Sequence, residues 1–213
     1  LTQAPLFYAF NHMDIGPATL LFFASMLLTM YLIGFLFLGE KLTKIKIISL
    51  ILAIFGMYFI FSFSLVVFSL LAIILAIISG FVSGGELSLS KKLTGNYSPI
   101  YITWLSWLII VITNAPISIL VGEVQHLPSF EVVWLYQLGY TIVSLLGFWL
   151  MIKGLKYVEA STGGLIGILE ILFSILFGIM IFNENLSVKM VFGALLIITA
   201  AALPHIRDRY YNQ

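Results

Sequence analysis

Glu170 stands in the middle of an apolar run, GILEILFSILFG (167–178), where a carboxylate needs a reason to be. An ionisable side chain at the centre of a bilayer costs about 2.5–3.5 kcal/mol on insertion scales, so it is expected to face a bundle interior or water. Such an acid can exchange a proton or hold a cationic ligand. Its neighbours at helical spacing agree with an inward face: Gly163, Gly167, Glu170, Ser174 and Gly178 step by four, three, four and four residues onto one stripe. Leu165, Leu169, Leu172 and Leu176 take the opposite face. Two readings of the stripe stay open. It is a packing seam in which glycines admit a close neighbour and Glu170 hydrogen-bonds across, or it is a wall of a binding cavity.

Other polar residues inside apolar runs are the remaining candidates for substrate or proton binding. Ser25 and Thr29 share a face with Ala18, and Trp107 and Asn114 lie on one run with Trp104 and Pro116. Gln137 and Tyr140 lie on another with Tyr136 and Thr141. Pro116 removes one helix hydrogen bond and frees a carbonyl near Ile112, which reads as a bend or a hinge. Glu86 follows Gly80, Gly84 and Gly85 close to a run's end, where pairing with Lys91 or with lipid headgroups accounts for it. Glu40 and Glu184 are expected at membrane edges, in turns.

The elements that must position these residues follow from composition. Of 213 residues, 62% are hydrophobic and 9% charged, with mean hydropathy +1.14, against roughly 25% charged in soluble domains. The apolar residues come in blocks near the 20 that a helix needs to cross the hydrocarbon, and not in the short alternating strands of a barrel. We read a stub over 1–12 and seven spans: A (17–39), B (45–63), C (65–89), D (98–121), E (132–152), F (160–182) and G (188–203). Pro17 and Ser161-Thr162 suit helix starts, and Pro204 suits a stop.

Short connections make consecutive spans antiparallel. Nine of the ten Lys and Arg residues (Lys41, Lys44, Lys46, Lys91, Lys92, Lys153, Lys156, Arg207, Arg209) then fall on one side, with Lys189 opposite. The positive-inside rule places that side, and the C-terminus with it, in the cytoplasm, for a multi-pass protein of the cytoplasmic membrane.

IGFLFLGEKLT (33–43) recurs as FGIMIFNENLS (177–187), pairing Gly34 with Gly178, Glu40 with Glu184, Leu42 with Leu186 and Thr43 with Ser187 at an offset of 144. Upstream, AFNHMDIGPA (9–18) is matched by GLKYVEASTG (154–163). The Glu40 and Glu184 loops fall on opposite sides, so the copies are inverted, an arrangement characteristic of secondary transporters. The expected domains are 1–63, the remainder of the first repeat; 64–204, the second repeat; and 205–213, a cytoplasmic tail.

Through the small-residue helix starts GPATLL and ASTGGL, the acids of GEKLT and NENLS, Ser49 and Gly193 opening the following helix, and the Leu-Glu of LEILFS, the chain resembles the EamA family of the drug/metabolite transporter superfamily. The resemblance implies an all-α polytopic bundle of two inverted five-helix repeats. It also implies transport of amino acids, sugars, drugs or similar small metabolites. The stub matches the end of the family's third helix, so the sequence is expected to lack the two helices before it and most of that third one.

The expected function is secondary active transport of small organic solutes, with Glu170 a candidate for proton coupling. The alternative is a non-transporting membrane scaffold or receptor component that keeps the fold. The expected partners are a small-molecule solute and the lipid bilayer. No nucleic-acid partner is expected, because the basic residues form no cluster. No cofactor or metal is expected either: His12, His126 and His205 lie far apart, Cys is absent, and no Walker loop, dinucleotide fingerprint or nucleophile elbow occurs, so no enzyme activity is expected.

Overall fold

The structure is a computed structural model and describes residues 3–61, 69–120, 128–183 and 185–211. The expected start of span C at Leu65 and the acid Glu184 lie outside the described residues. Among the described residues the chain is all helix: α1 (Gln3–His12), α2 (Ile15–Phe37), α3 (Lys44–Phe61), α4 (Leu70–Leu93), α5 (Pro99–Leu120), α6 (Val132–Leu155), α7 (Ala160–Gly167), α8 (Glu170–Phe182) and α9 (Val188–Tyr211). Six stretches are long and apolar enough to cross a membrane, with α7 and α8 together forming one of them.

Span G differs from its expected form in two ways. Its apolar part, Val188–Pro204, falls short of the length the other six reach. Pro204 does not stop the helix, which continues to Tyr211 with the proline inside. A proline deletes one hydrogen bond and crowds the preceding turn, and a helix can continue past that as a bend. Pro116 is likewise accommodated inside α5. The stub is helical and packs on α4 and α2.

Small residues decide which helices meet. α2 lies along α4, where a Cβ on Gly80 would meet Phe22 and Ser25 and one on Gly84 would meet Met26 and Thr29. The contacts advance together on both chains, so α2 and α4 run parallel. α3 lies along α9, where Gly56 faces the Gly193 carbonyl and Ile197, and Gly193 faces the Gly56 carbonyl and Ile60. These pairings advance in opposite senses, so α3 and α9 are antiparallel. Contact of this closeness gives membrane helices the van der Waals packing that hydrophobicity cannot supply between apolar surfaces in lipid. The core between the pairs holds Leu27, Met30, Met57, Leu155, Leu165, Ile168 and Ile197. Large apolar side chains such as Phe35, Phe55, Ile109 and Val143 stay exposed on the outside, as a lipid-facing surface requires.

Span F is not one helix. Its ladder breaks at Ile168 and Leu169, where tighter bonds run from Leu169 N–H to the Ile166 carbonyl (3.0 Å), Ile171 N–H to Ile168 (3.1 Å) and Leu172 N–H to Leu169 (3.0 Å). Glu170 is the first residue of α8. At its far end α8 terminates on Asn183 in the left-handed region (φ 52°), with the Asn183 N–H bonded to the Gly178 carbonyl. Asparagine and glycine tolerate this backbone conformation best among residues.

Candidate functional site

α2, α4, α5, α6 and the α7–α8 junction line an open-sided cavity of about 460 Å³ together with the start of α1. Phe22, Phe23 and Met26 come from α2, Ser83 and Leu87 from α4, and Trp107 from α5. α6 contributes Ser144, Gly147, Phe148 and Met151, the α7–α8 junction contributes Gly167 and Glu170, and α1 contributes Gln3. Glu170 is the one ionisable side chain among these. It remains accessible, and no hydrogen-bond or ion-pair partner for its carboxyl occurs among the described residues. The Trp107 indole N–H is also buried without a partner there. The cavity thus presents one carboxyl group without a partner, set among aromatic and thioether groups, with an unpaired indole N–H buried in its wall.

Of the residues singled out in the sequence, Glu170, Gly167 and Trp107 converge on this cavity. Ser174 does not line it; it is exposed on α8 and donates to the Glu170 carbonyl (3.1 Å). Ser25 and Thr29 are buried in the α2–α4 seam and donate to the carbonyls of Leu21 (2.6 Å) and Ser25 (2.8 Å). Asn114 donates to the Ile110 carbonyl (2.9 Å) and accepts from the Ala4 N–H (3.2 Å), tying α5 to the first turn of α1. Gln137 lines a separate outer groove of about 590 Å³ with Trp134 and Thr141, and Tyr140 is exposed. Ser83, Ser144 and Gln3 complete the polar lining, and sequence spacing gave no reason to choose them over other polar residues in the spans.

The stripe on span F is divided by the break. Gly163 and Gly164 are buried, Gly163 against Leu155 and Val158 and Gly164 against Leu27 and Met30. Gly167 is half-buried beside Met151 and opens onto the cavity. On the far side Leu169, Leu172 and Leu176 line an apolar groove of about 730 Å³ against α9.

The acids near the lysine-rich end take roles other than those expected. Glu40 is 7% exposed, and its carboxylate reaches across the fold to the start of α7. It accepts from the backbone N–H of Ala160, from that of Ser161 (3.2 Å) and from the Ser161 hydroxyl (2.8 Å). It is a helix cap supplied from another element, not merely a turn residue. The turn that presents it uses Gly39 at φ +70° and a bond from the Glu40 N–H to the Gly34 carbonyl (2.9 Å). Lys91 does not pair with Glu86: its ammonium donates to the carbonyls of Leu155 (3.1 Å) and Val158 at the end of α6. Lys46 forms an ion pair with Glu159.

A solved structure, described only as the crystal structure of a protein, is similar over 96% of this chain and 71% of its own, with a TM-score of 0.79 and 17% identity. A likeness at that identity speaks for the fold alone. No curated protein matches the chain. The EamA-like transporter family matches residues 70–204, from the first residue of α4 through the apolar part of α9. On that match, which spans more than half its length, this multi-pass membrane chain belongs to the EamA-like transporter family.

Proposed function

We propose that the chain serves secondary active transport of a small organic solute across the cytoplasmic membrane, with the Glu170 cavity as the substrate site. The observation that carries this reading is the single ionisable group of that cavity, placed at a helix break and unpaired among the described residues. A volume of about 460 Å³ lies within the roughly 300–1,000 Å³ of small-molecule sites. Broken helices near the membrane middle are where transporters build such sites, because freed backbone groups can then face a cavity and not lipid.

The lining favours an amine-bearing solute with an apolar body. Glu170 supplies the countercharge, Phe22, Phe23, Phe148 and Trp107 offer ring faces that attract a cation, and the Trp107 N–H suits an acceptor elsewhere on the solute. Glu170 can hold either a proton or the ammonium group, and competition between the two couples their movements, since each weakens the other's binding by the same factor. We read residues 1–63 and 64–204 as parts of two inverted repeats that rock about this cavity, with the C-terminus in the cytoplasm.

The test is flux of amine solutes into proteoliposomes under a pH gradient. Glu170→Gln keeps size and hydrogen-bonding capacity while removing the titration. It is expected to lower gradient-driven flux at least about tenfold, as loss of a proton-transfer group does. Glu170→Asp should retain flux with an altered pH profile. Equal rate and pH dependence in the Gln variant would sink the reading.

A further inference from the structure

The cap on α7 comes from a residue 120 positions earlier in the chain, and it is one of three polar ties that converge on the same short connection. Glu40, in the turn after α2, holds the N–H groups of Ala160 and Ser161 and the Ser161 hydroxyl. Lys46, at the start of α3, is paired with Glu159. Lys91, at the end of α4, holds the carbonyls of Leu155 and Val158. All three act on residues 155–161, the stretch from the last residue of α6 into the first turn of α7.

α7 depends on these ties. It has eight residues, ends at the break before Glu170, and gets no side-chain cap from its own N-cap residue, Glu159. A helix of two turns is not stable by itself, and its first N–H groups need an acceptor. The Glu40 carboxylate provides one and also answers the positive end of the helix dipole. α7 also lies against α2 through Gly164, which faces Leu27 and Met30. Seven residues beyond Gly163, across the break, Glu170 faces the cavity whose other walls include α2, α4 and α6. The ties therefore fix α7 to the helices that line the cavity, on the side of the cavity where the lysines lie.

We propose that Glu40 is a positioning residue for Glu170: its carboxylate clamps α7 against the end of α2, and release of this clamp is the movement that opens the cavity toward the lysine-rich face. A cap that only stabilised the fold would not favour one face of the membrane. A clamp that closes one end of a cavity must do so. The inference builds on the cavity being a transport path, but its readout is accessibility and not flux.

The experiment uses the chain's lack of native cysteine. Ser144→Cys puts one thiol on the cavity wall in α6, and a membrane-impermeant maleimide is applied to vesicles of either orientation. Adding Glu40→Gln, which removes the charge that holds two backbone donors, is expected to raise the labelling rate from the lysine-rich side about three- to tenfold, the equilibrium factor that corresponds to loss of a helix cap. Labelling from the opposite side should not rise. Glu40→Asp, which keeps the charge on a shorter arm, should fall between wild type and Gln. No change, or an equal rise from both sides, overturns the proposal. If Glu40→Gln fails to accumulate, Ser161→Ala deletes a single hydroxyl and carries the test: a smaller one-sided rise supports the clamp, and an unchanged or two-sided rate overturns it. A chain that gives the one-sided rise but moves no amine refutes the transport reading and leaves the clamp in place.

Discussion

At the scale of the residue, the polar groups that line the cavity differ from those that tie the helices together. Ser25, Thr29 and Asn114 spend their donors on carbonyls of their own helices. Trp107 does not: its indole N–H is buried in the cavity wall without a partner among the described residues. Trp107→Phe keeps the ring face and removes the donor. It is expected to raise KM for an amine solute about three- to tenfold, the usual worth of one hydrogen bond, with kcat little changed if that bond is made equally in ground and transition states. An unchanged KM would mean the N–H faces no ligand. Glu170 and Trp107 were legible in the sequence because an acid and a deep indole are conspicuous in an apolar helix. Ser83 and Ser144 were not, since a membrane helix tolerates serine on any face by bonding it to the preceding turn. The part played by Glu40 was hidden for another reason: a carboxylate's partner 120 residues away leaves no periodic trace.

At the scale of the element, hydropathy located every long helix among the described residues, but it ended span G eight residues early and could not see the break inside span F. Ile168 and Leu169 are as apolar as their neighbours, so hydropathy carries no mark of the interruption, which follows directly on Gly167, a weak helix former at the end of α7. Glycine positions split in the same way. Gly84 is needed because a side chain would run into the Met26 carbonyl, while Gly139 on α6 has open space where a Cβ would go. Gly84→Leu should therefore lower stability by about 1–3 kcal/mol or more through overpacking of the α2–α4 seam. Gly139→Ala should leave it unchanged or raise it by up to about 1 kcal/mol through helix propensity. Thermal unfolding of the detergent-solubilised protein measures both. A Gly84→Leu variant as stable as wild type would show that the helices can separate without cost.

At the scale of the whole molecule, orientation is the property most open to a direct check. Lys41 and Ser129 are exposed and separated by α3, α4 and α5, so they should lie on opposite faces of the membrane. Lys41→Cys is expected to react with an impermeant maleimide only from the cytoplasmic side and Ser129→Cys only from outside. Labelling of both from one side would remove the odd number of crossings and the inverted relation of the repeats with it. This expectation rests on the lysine distribution alone, because positive charge is retained on the cytoplasmic face during insertion whatever the packing above it.

The distance in sequence between Glu40 and Ser161 also sets a timetable. Chains grow at about 5–20 residues per second. The carboxylate of Glu40 is therefore made about 6–24 s before the N–H groups 120 residues later that will bury it. α3 is completed within that interval, while the carboxyl of Glu40, in the turn beside Lys41 and Lys44, still lacks the partners that bury it. The fold closes at this point only once the α6–α7 connection emerges, which makes the Glu40 contact a late event in biogenesis and the arrival of Ala160 and Ser161 the step that completes it.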